Sequence, residues 1–524
     1  MSVPKFLGRD IELSTTGLDR NGETVASFDV TRRVLAESDA AFEARDQRCW
    51  TSSNSKGWGS WGSSFSTDCL RHWAPNGQCY YSDMGHVEVC TAETLRPLDF
   101  AAQSISVLRI IEAARSRASE ESGEAYHLTS ANLDLVDPAI AWGSHLNVSI
   151  TPKLWEDLFV EFRHPAVYAF VTSVMAAAIP FFGTGYLLPF KDGTTIYSLS
   201  ARAHHLQRMQ TLHTTQAFER GLLNTRREPH GKDVDRLHLI GFDYQLVSAA
   251  LLAAFLQGCL RAAEEGAVGP SLYEPVRAMH TWSWGLDIQS GKLPRTASLN
   301  DGRKMTLPMF MRTTCEWLLG LYESGLIEAD DESPGLIAKT IELTRYAEEG
   351  ALDRCAPSLD WAAKLMVLID VCSEPGVHLG DDRTRLIDHD FATSEPTSLF
   401  WRLWEDDMVD PLVPMAQVEE CLVDGPEESR AWARGRLIQK FFDDITDIDW
   451  SYVELRQNFD RWADRLRVKM PRLDSLSRAS FESALDDASD IDELKDRFAE
   501  EGGERVSEHD PIDDIRTLLA TDRR

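Results

Sequence analysis

Basic charge is scarce in this sequence. It sets 54 Lys and Arg against 84 Asp and Glu, a net charge of −30. Neutralising phosphates needs a basic face, so a general nucleic-acid binder is excluded. No CxxC pair occurs among the nine scattered cysteines, which removes a zinc ribbon and a thioredoxin-type site. Dispersed cysteines in a large chain read as reduced thiols, hence a cytoplasmic setting. Met1 to Asp10 carries no apolar signal core. There is no GxxxxGK[ST] phosphate loop. The one long uncharged run, Pro165 to Phe190, is broken by Pro180, Gly183, Gly185 and Pro189. It reads as a buried helix running into a loop, not as a membrane span.

What the sequence does hold is a core. At 524 residues with 43% hydrophobic side chains and 15 Trp, it can fill two to four domains or one large one with an appendage. Strands are expected at 4–13, 78–90, 124–129, 143–150 and 195–200. Helices are expected at 101–118, 246–259, 305–348 and 359–372. Strands and helices mix without a βαβ rhythm, so the fold class is α+β. Residues 37–75, rich in Ser, Gly and Trp at their centre, read as a mobile insertion. Within them Gly57-Trp58-Gly59-Ser60-Trp61-Gly62 fits GxGxxG, but lacks the flanking strand and helix of a dinucleotide site. Three parts result: 1–425 as the main domain, 426–500 as a small helical unit, and 501–524 as an acidic tail. From Phe481 to Asp514, 14 acidic residues face three basic ones, the pattern of a solvated helix and a frayed end.

Several polar residues recur at strand spacing. Asp10 and Glu12 share one strand face, where their repulsion is costly unless a cation such as magnesium sits between them. The plain alternative is a solvated edge strand. In YYSDMGHVEVCTAE, Asp83 and Glu88 converge if Met84-Gly85 forms a β-bulge, which is expected here. Asp83 then suits a general base. His145 and Asn147 share a face of a later strand. In the run Asn224 to His230, Arg226 and Arg227 can clamp a phosphate, or simply lie on the surface.

Taken in order, these segments resemble the family of Pup ligases and Pup deamidase/depupylases, enzymes of a small prokaryotic ubiquitin-like modifier. Its G-x-E-x-E strand resembles Gly8-Arg9-Asp10-Ile11-Glu12. Its N-G…Y-x-D-x-x-H-P-E segment resembles Asn76-Gly77, Tyr81, Asp83, His86 and Glu88. Its Y-G-x-H-E-N strand resembles Trp142 to Asn147, and its S-Q-R-A-D run Ser200 to His204. N-T-R-D-E-P-H and R-L-H-V-I resemble Asn224 to His230 and Arg236 to Ile240. L-D-W-V-A-K-L resembles Leu359 to Leu365, and T-R-A-x-x-R-G resembles Ser429 to Gly435. The sequence departs from the family at Asp10 (Glu there), Leu146, His204 and Arg227 (acidic there).

The resemblance implies a glutamine-synthetase-like antiparallel sheet with flanking helices and a small C-terminal domain. It implies ATP, or retained ADP and phosphate, with magnesium. It assigns magnesium to Asp10, Glu12 and Glu88, catalysis to Asp83, and nucleotide contacts to Arg226, Arg202, His145, Asn147 and Arg434. The implied partner is a Pup-like modifier and its conjugates, with no nucleic acid and no membrane. The separation of 71 positions from Glu12 to Asp83 fits the long insertion of the deamidase branch, as does the Asp83-Met84-Gly85-His86 spacing. The expected reaction is therefore hydrolysis at the modifier's C-terminal Gln or Glu. The alternatives are ligation of a C-terminal Glu to lysine, and a degenerate nucleotide-binding scaffold.

Overall fold

The computed structural model describes residues 2–52, 70–160, 164–215, 219–229, 231–456, 466–500 and 506–508. Its longest strand, β1 (Leu7–Leu18), shows why the central sheet has two unlike faces. Leu7, Ile11 and Leu13 are buried on one side, while Asp10 and Glu12 alternate with them on the other. The strands follow in chain order: β2 (Thr24–Val25), β3 (Trp50–Ser52), β4 (Arg71–Trp73), β5 (Cys79–Asp83), β6 (His86–Cys90), β7 (Ala125–Thr129) and β8 (Ser144–Ile150). β9 (Tyr186–Pro189) and β10 (Thr195–Ser198) form a separate hairpin. β11 (Leu206–Thr211), β12 (Arg220–Asn224) and β13 (Asp235–Leu239) return to the main sheet. Its order is β11-β12-β13-β8-β1-β6-β5-β4-β3, with β2 and β7 paired to the far half of β1. Along that order β11–β12 pair in parallel and β1 pairs antiparallel with both its neighbours.

The apolar face is covered by helices. Val87, Val89, Leu146, Val148, Leu237 and Leu239 join one core with α2 (Pro97–Ser122), α4 (Pro165–Phe181) and α5 (Ala249–Glu264). α1 (Ser27–Ala36) and α3 (Pro152–Phe159) flank the sheet. Arg9 points into this core too. Its guanidinium lies 4.9 Å from the Phe100 ring and 5.1 Å from that of Tyr244, and bonds Gln245. It is a packing residue. α4 is buried along most of its length and leads through residues 182–185 into β9. Among the described residues no helix is long and apolar enough to cross a membrane.

Several expectations are corrected. The strand at 4–13 starts later and runs on to Leu18. The strand at 78–90 is a hairpin of β5 and β6. The helix at 305–348 is two, Leu307–Glu323 and Ser333–Glu349, broken where Gly325 takes a left-handed φ of 70°. The flanks of the 37–75 insertion are not loose: β3 and β4 extend the main sheet. Its centre, 53–69, lies outside the described residues. The C-terminal unit is not purely helical, since Ile445–Asp449, Tyr452–Leu455, Leu466–Lys469 and Val506–Glu508 form a four-stranded sheet. Nor are the acidic helices free in solvent: Phe481, Leu485 and Leu494 are buried. This unit's core is continuous with Trp73, Cys79 and Cys90 of the main sheet. Helix Arg430–Phe441 sits so close to the β4–β5 turn that a Cβ on Gly77 would lie 2.5 Å from the Ala431 carbonyl oxygen. Apart from residues 506–508, the expected tail at 501–524 lies outside the described residues.

Candidate active site

The polar face of the sheet floors a cavity of about 820 Å³, a size that suits a small-molecule ligand. Strand register decides what meets there. Glu12 on β1 lies opposite Glu88 on β6, and Asp10 lies opposite His145 on β8. Asn147, two residues on, lies opposite His238 on β13. In the β5–β6 hairpin, Tyr81 pairs with Glu88 and Asp83 with His86. Directly paired residues project to the same side of a sheet. Asp10, Glu12, Asp83 and Glu88 therefore share one face.

The expected bulge at Met84-Gly85 is absent. Both residues have left-handed φ, 48° and 90°, and form a tight two-residue turn. Folding the strand back on itself brings Asp83 and Glu88 together, the convergence for which a bulge was invoked.

These carboxylates crowd one another. Burial, and then the charges of Asp10, Asp83 and Glu12, push the Glu88 carboxyl well above the usual range. Burial and then Glu12 raise Asp83. Burial lowers His86, against the pull of Glu12 and Asp83, and favours its neutral form. Asp10 accepts from Asn147 Nδ2 at 3.0 Å, and Glu12 accepts from the Gly143 N–H. Asn147 Oδ1 lies 2.8 Å from His238 Nδ1 and 3.2 Å from Arg236 Nη1. The His145 ring meets His238 edge-on at 5.0 Å, and burial lowers its pKa. Gly143 leaves room for that ring: a Cβ there would lie 2.4 Å from His145 Nε2.

In kind, Asp10, Glu12 and Glu88 are the hard oxygen donors magnesium takes, and their mutual repulsion is what a dication relieves. As they stand, no group of three or more His, Cys, Asp or Glu among the described residues is arranged to hold a metal.

The cationic wall differs from expectation. Arg226 lines the cavity, 3.5 Å from Glu228, which pairs at 2.7 Å with Arg236. Arg202 is fully engaged at its Nη atoms, which donate to the carbonyls of Trp142 and Ile240 at 2.9 Å each. Burial brings its pKa down to about 10. It braces the cavity floor. Arg434 donates to the Gly77 and Trp450 carbonyls and to Glu93, so it ties the C-terminal unit to the sheet. Besides Arg226 and the engaged Arg9 and Arg202, the arginines that line the cavity are Arg71, Arg220 and Arg236. Of the lining residues, Arg236 and His238 lie in the run Arg236 to Ile240 that carried the family resemblance. Arg71 sits on a three-residue strand beside a low-complexity run and gave no signal, nor did Trp450, which forms part of the wall from the C-terminal unit.

The sequence departures fall mostly outside the cavity. Leu146 faces the helices and is completely buried, so it removes no donor from the polar face. Arg227 pairs with Asp235 at 2.7 Å. His204 packs its ring against His205, and burial lowers its pKa to about 4.

A family profile described as Pup-ligase protein matches residues 8–454. A Pup deamidase/depupylase of Mycolicibacterium smegmatis is 28% identical over 435 residues, covering 81% of this chain and 82% of its own. The crystal structure of a complex between the prokaryotic ubiquitin-like protein Pup and its ligase PafA superposes with a TM-score of 0.71 at 17% identity, covering 99% of this chain and 94% of that one. A structure of the Pup ligase PafA with ADP gives a TM-score of 0.66 at 19% identity, over 82% and 90% of the two chains. With the family profile spanning most of its length, the chain belongs to the Pup-ligase protein family.

Proposed function

We propose that this protein is an ATP- and magnesium-dependent hydrolase of a Pup-like modifier. It would convert the modifier's C-terminal Gln to Glu, releasing ammonia, or cleave the isopeptide bond to a substrate lysine. The observation that carries the reading is the convergence of Asp83 with Asp10, Glu12 and Glu88 on one sheet face, at a cavity of nucleotide size. The ADP complex of a protein of the same fold supports nucleotide as the ligand.

The roles follow from position. Asp10, Glu12 and Glu88 would hold magnesium, with Asn147 and the Gly143 N–H steering two of the three carboxylates. When bound, magnesium would supply positive charge that offsets the nucleotide phosphates and polarises the reacting group. Arg226, Arg236, Arg220 and Arg71 would receive phosphate oxygens. Asp83 would act as base toward water or as nucleophile at the amide carbon, and its raised pKa makes it a stronger base than an ordinary aspartate.

The 28% identical depupylase and the long segment between Glu12 and Asp83 support hydrolysis. Ligation is the second reading, favoured by the fold shared with PafA. One assay pair separates them. Gln-terminated modifier is tested for ammonia release, and Glu-terminated modifier plus a lysine target for conjugation. Ammonia without conjugation is expected, and conjugation alone reverses the assignment. Asp83→Asn should abolish turnover and leave nucleotide affinity intact. Wild-type rates in that variant would remove Asp83 from the mechanism.

A further inference from the structure

We infer that α1 is a positioning element for the reaction: the hydroxyls of Ser27 and Thr31 clamp the Gly85 carbonyl at the hairpin tip and so hold Asp83 at its place in the cavity. The inference rests on the reading of Asp83 as the reacting carboxylate.

Ser27 Oγ donates to the Gly85 carbonyl oxygen at 2.9 Å, and Thr31 Oγ1 donates to the same atom at 2.8 Å. At i and i+4 the two hydroxyls lie on one helix face. A hydroxyl has one proton, so both donors are committed across the interface and neither serves its own helix. α1 goes without side-chain capping: its N-cap is Ala26 and makes no side-chain bond. Thr31, in mid-helix and almost fully buried, bonds the hairpin where a threonine more commonly bonds back to its own helix. The Gly85 carbonyl has two lone pairs, and α1 supplies a donor for each.

The tip needs such a hold. Met84 is 81% exposed and has a left-handed φ of 48°. A Cβ built on Gly85 would find only Phe28 of α1 within 4 Å. On that side, then, the contact is with α1. Two-residue turns twist readily, and Asp83 and His86 form the last pair before this one. A displacement of about 1 Å in a reacting group costs about a hundredfold in rate, so the clamp acts directly on turnover. The arginines that face the phosphates lie on other elements, and Glu88 lies two residues further from the tip than His86, so nucleotide affinity should change little.

The test compares Thr31→Val, Ser27→Ala and the double variant with Thr31→Ser, which keeps the hydroxyl. In the double variant kcat should fall by about ten- to a hundredfold, with nucleotide affinity and KM for the modifier within about twofold of wild type. Thr31→Ser should stay within about twofold in kcat. A folded double variant with wild-type kcat overturns the inference, as does a loss of kcat that Thr31→Ser shares with Thr31→Val. Ser27 is only half-buried, so Ser27→Ala keeps the test open if Thr31→Val does not fold. An inactive Asp83→Asn beside a fully active double variant sinks the clamp and spares the reading of Asp83. An active Asp83→Asn sinks both.

Discussion

Glu88 stands in a conflict of charge. It is buried and faces three other carboxylates, which together push its pKa well up. The sign of the consequence follows from linkage. An acid whose folded pKa exceeds its unfolded one destabilises the fold progressively as pH rises above the ordinary carboxylate range. Glu88→Gln should therefore raise the melting temperature of metal-free protein at pH 7 by about 2 °C or more, with the gain shrinking toward pH 4. It should also abolish magnesium-dependent nucleotide binding. A variant that melts no higher than wild type at either pH would show that Glu88 is not strained. Asp10 and Glu12 were legible from strand period, whereas Asp83 and Glu88 were legible from the motif, and the turn that brings them together was not. Arg202 and Arg434 donate to backbone carbonyls, and sequence cannot tell an arginine so engaged from one aimed at a ligand. Arg71 went unseen because it sits beside a low-complexity run with no periodic pattern to place it on a strand.

The β5–β6 hairpin is the element on which the site depends, and its turn is unusual for its residues. Type I′ turns favour Asn-Gly or Gly-Gly, because both central positions need left-handed φ. Met84 meets that demand at a cost of about 1 kcal/mol. That explains why residues 78–90 read as one strand: the tip lacks a standard turn pair. Met84→Gly relieves the strain and should melt at or above the wild-type temperature. Met84→Val places a branched Cβ in the same conformation and should lose more than about 1 kcal/mol. Equal stability of the two variants in denaturant titrations would mean the backbone there relaxes freely. Long helices with clear periodicity were easier to read, and residues 359–372 closely match the helix Asp360–Val371. Boundaries set by a single glycine, as at Gly325, were not legible, because helical propensity on both sides masks the break.

At the scale of the whole molecule, the two cores are joined at one seam. Glu93, just past β6, accepts from Arg430 Nε at 2.8 Å and from Arg434 Nη2 at 2.9 Å, both on helix Arg430–Phe441. The spacing Arg430 to Arg434 is i, i+4, so one helix face presents both cations. The expected separate C-terminal unit is thus packed on Trp73, Cys79 and Cys90 and locked by charge. Burial alone would raise the Glu93 carboxyl, but Arg434 and Arg430 overcome it and bring it from 4.5 down to about 2. That difference corresponds to on the order of 3 kcal/mol. Because the folded pKa is depressed, the stabilisation is complete above about pH 4.5 and fades as pH falls toward 2. Glu93→Gln keeps the shape and removes the charge, leaving two buried guanidiniums facing each other, a change that typically costs about 3–5 kcal/mol. The variant should melt several degrees lower at pH 7, with the deficit constant down to about pH 5 and narrowing below it. Loosening should be seen first in the C-terminal unit, as faster amide exchange in Ile445–Asp449 and Tyr452–Leu455 than in β1 and β8. Uniform exchange in the variant, or an unchanged melting temperature, would show that apolar packing around Trp73 and Trp432 holds the seam without the ion pairs.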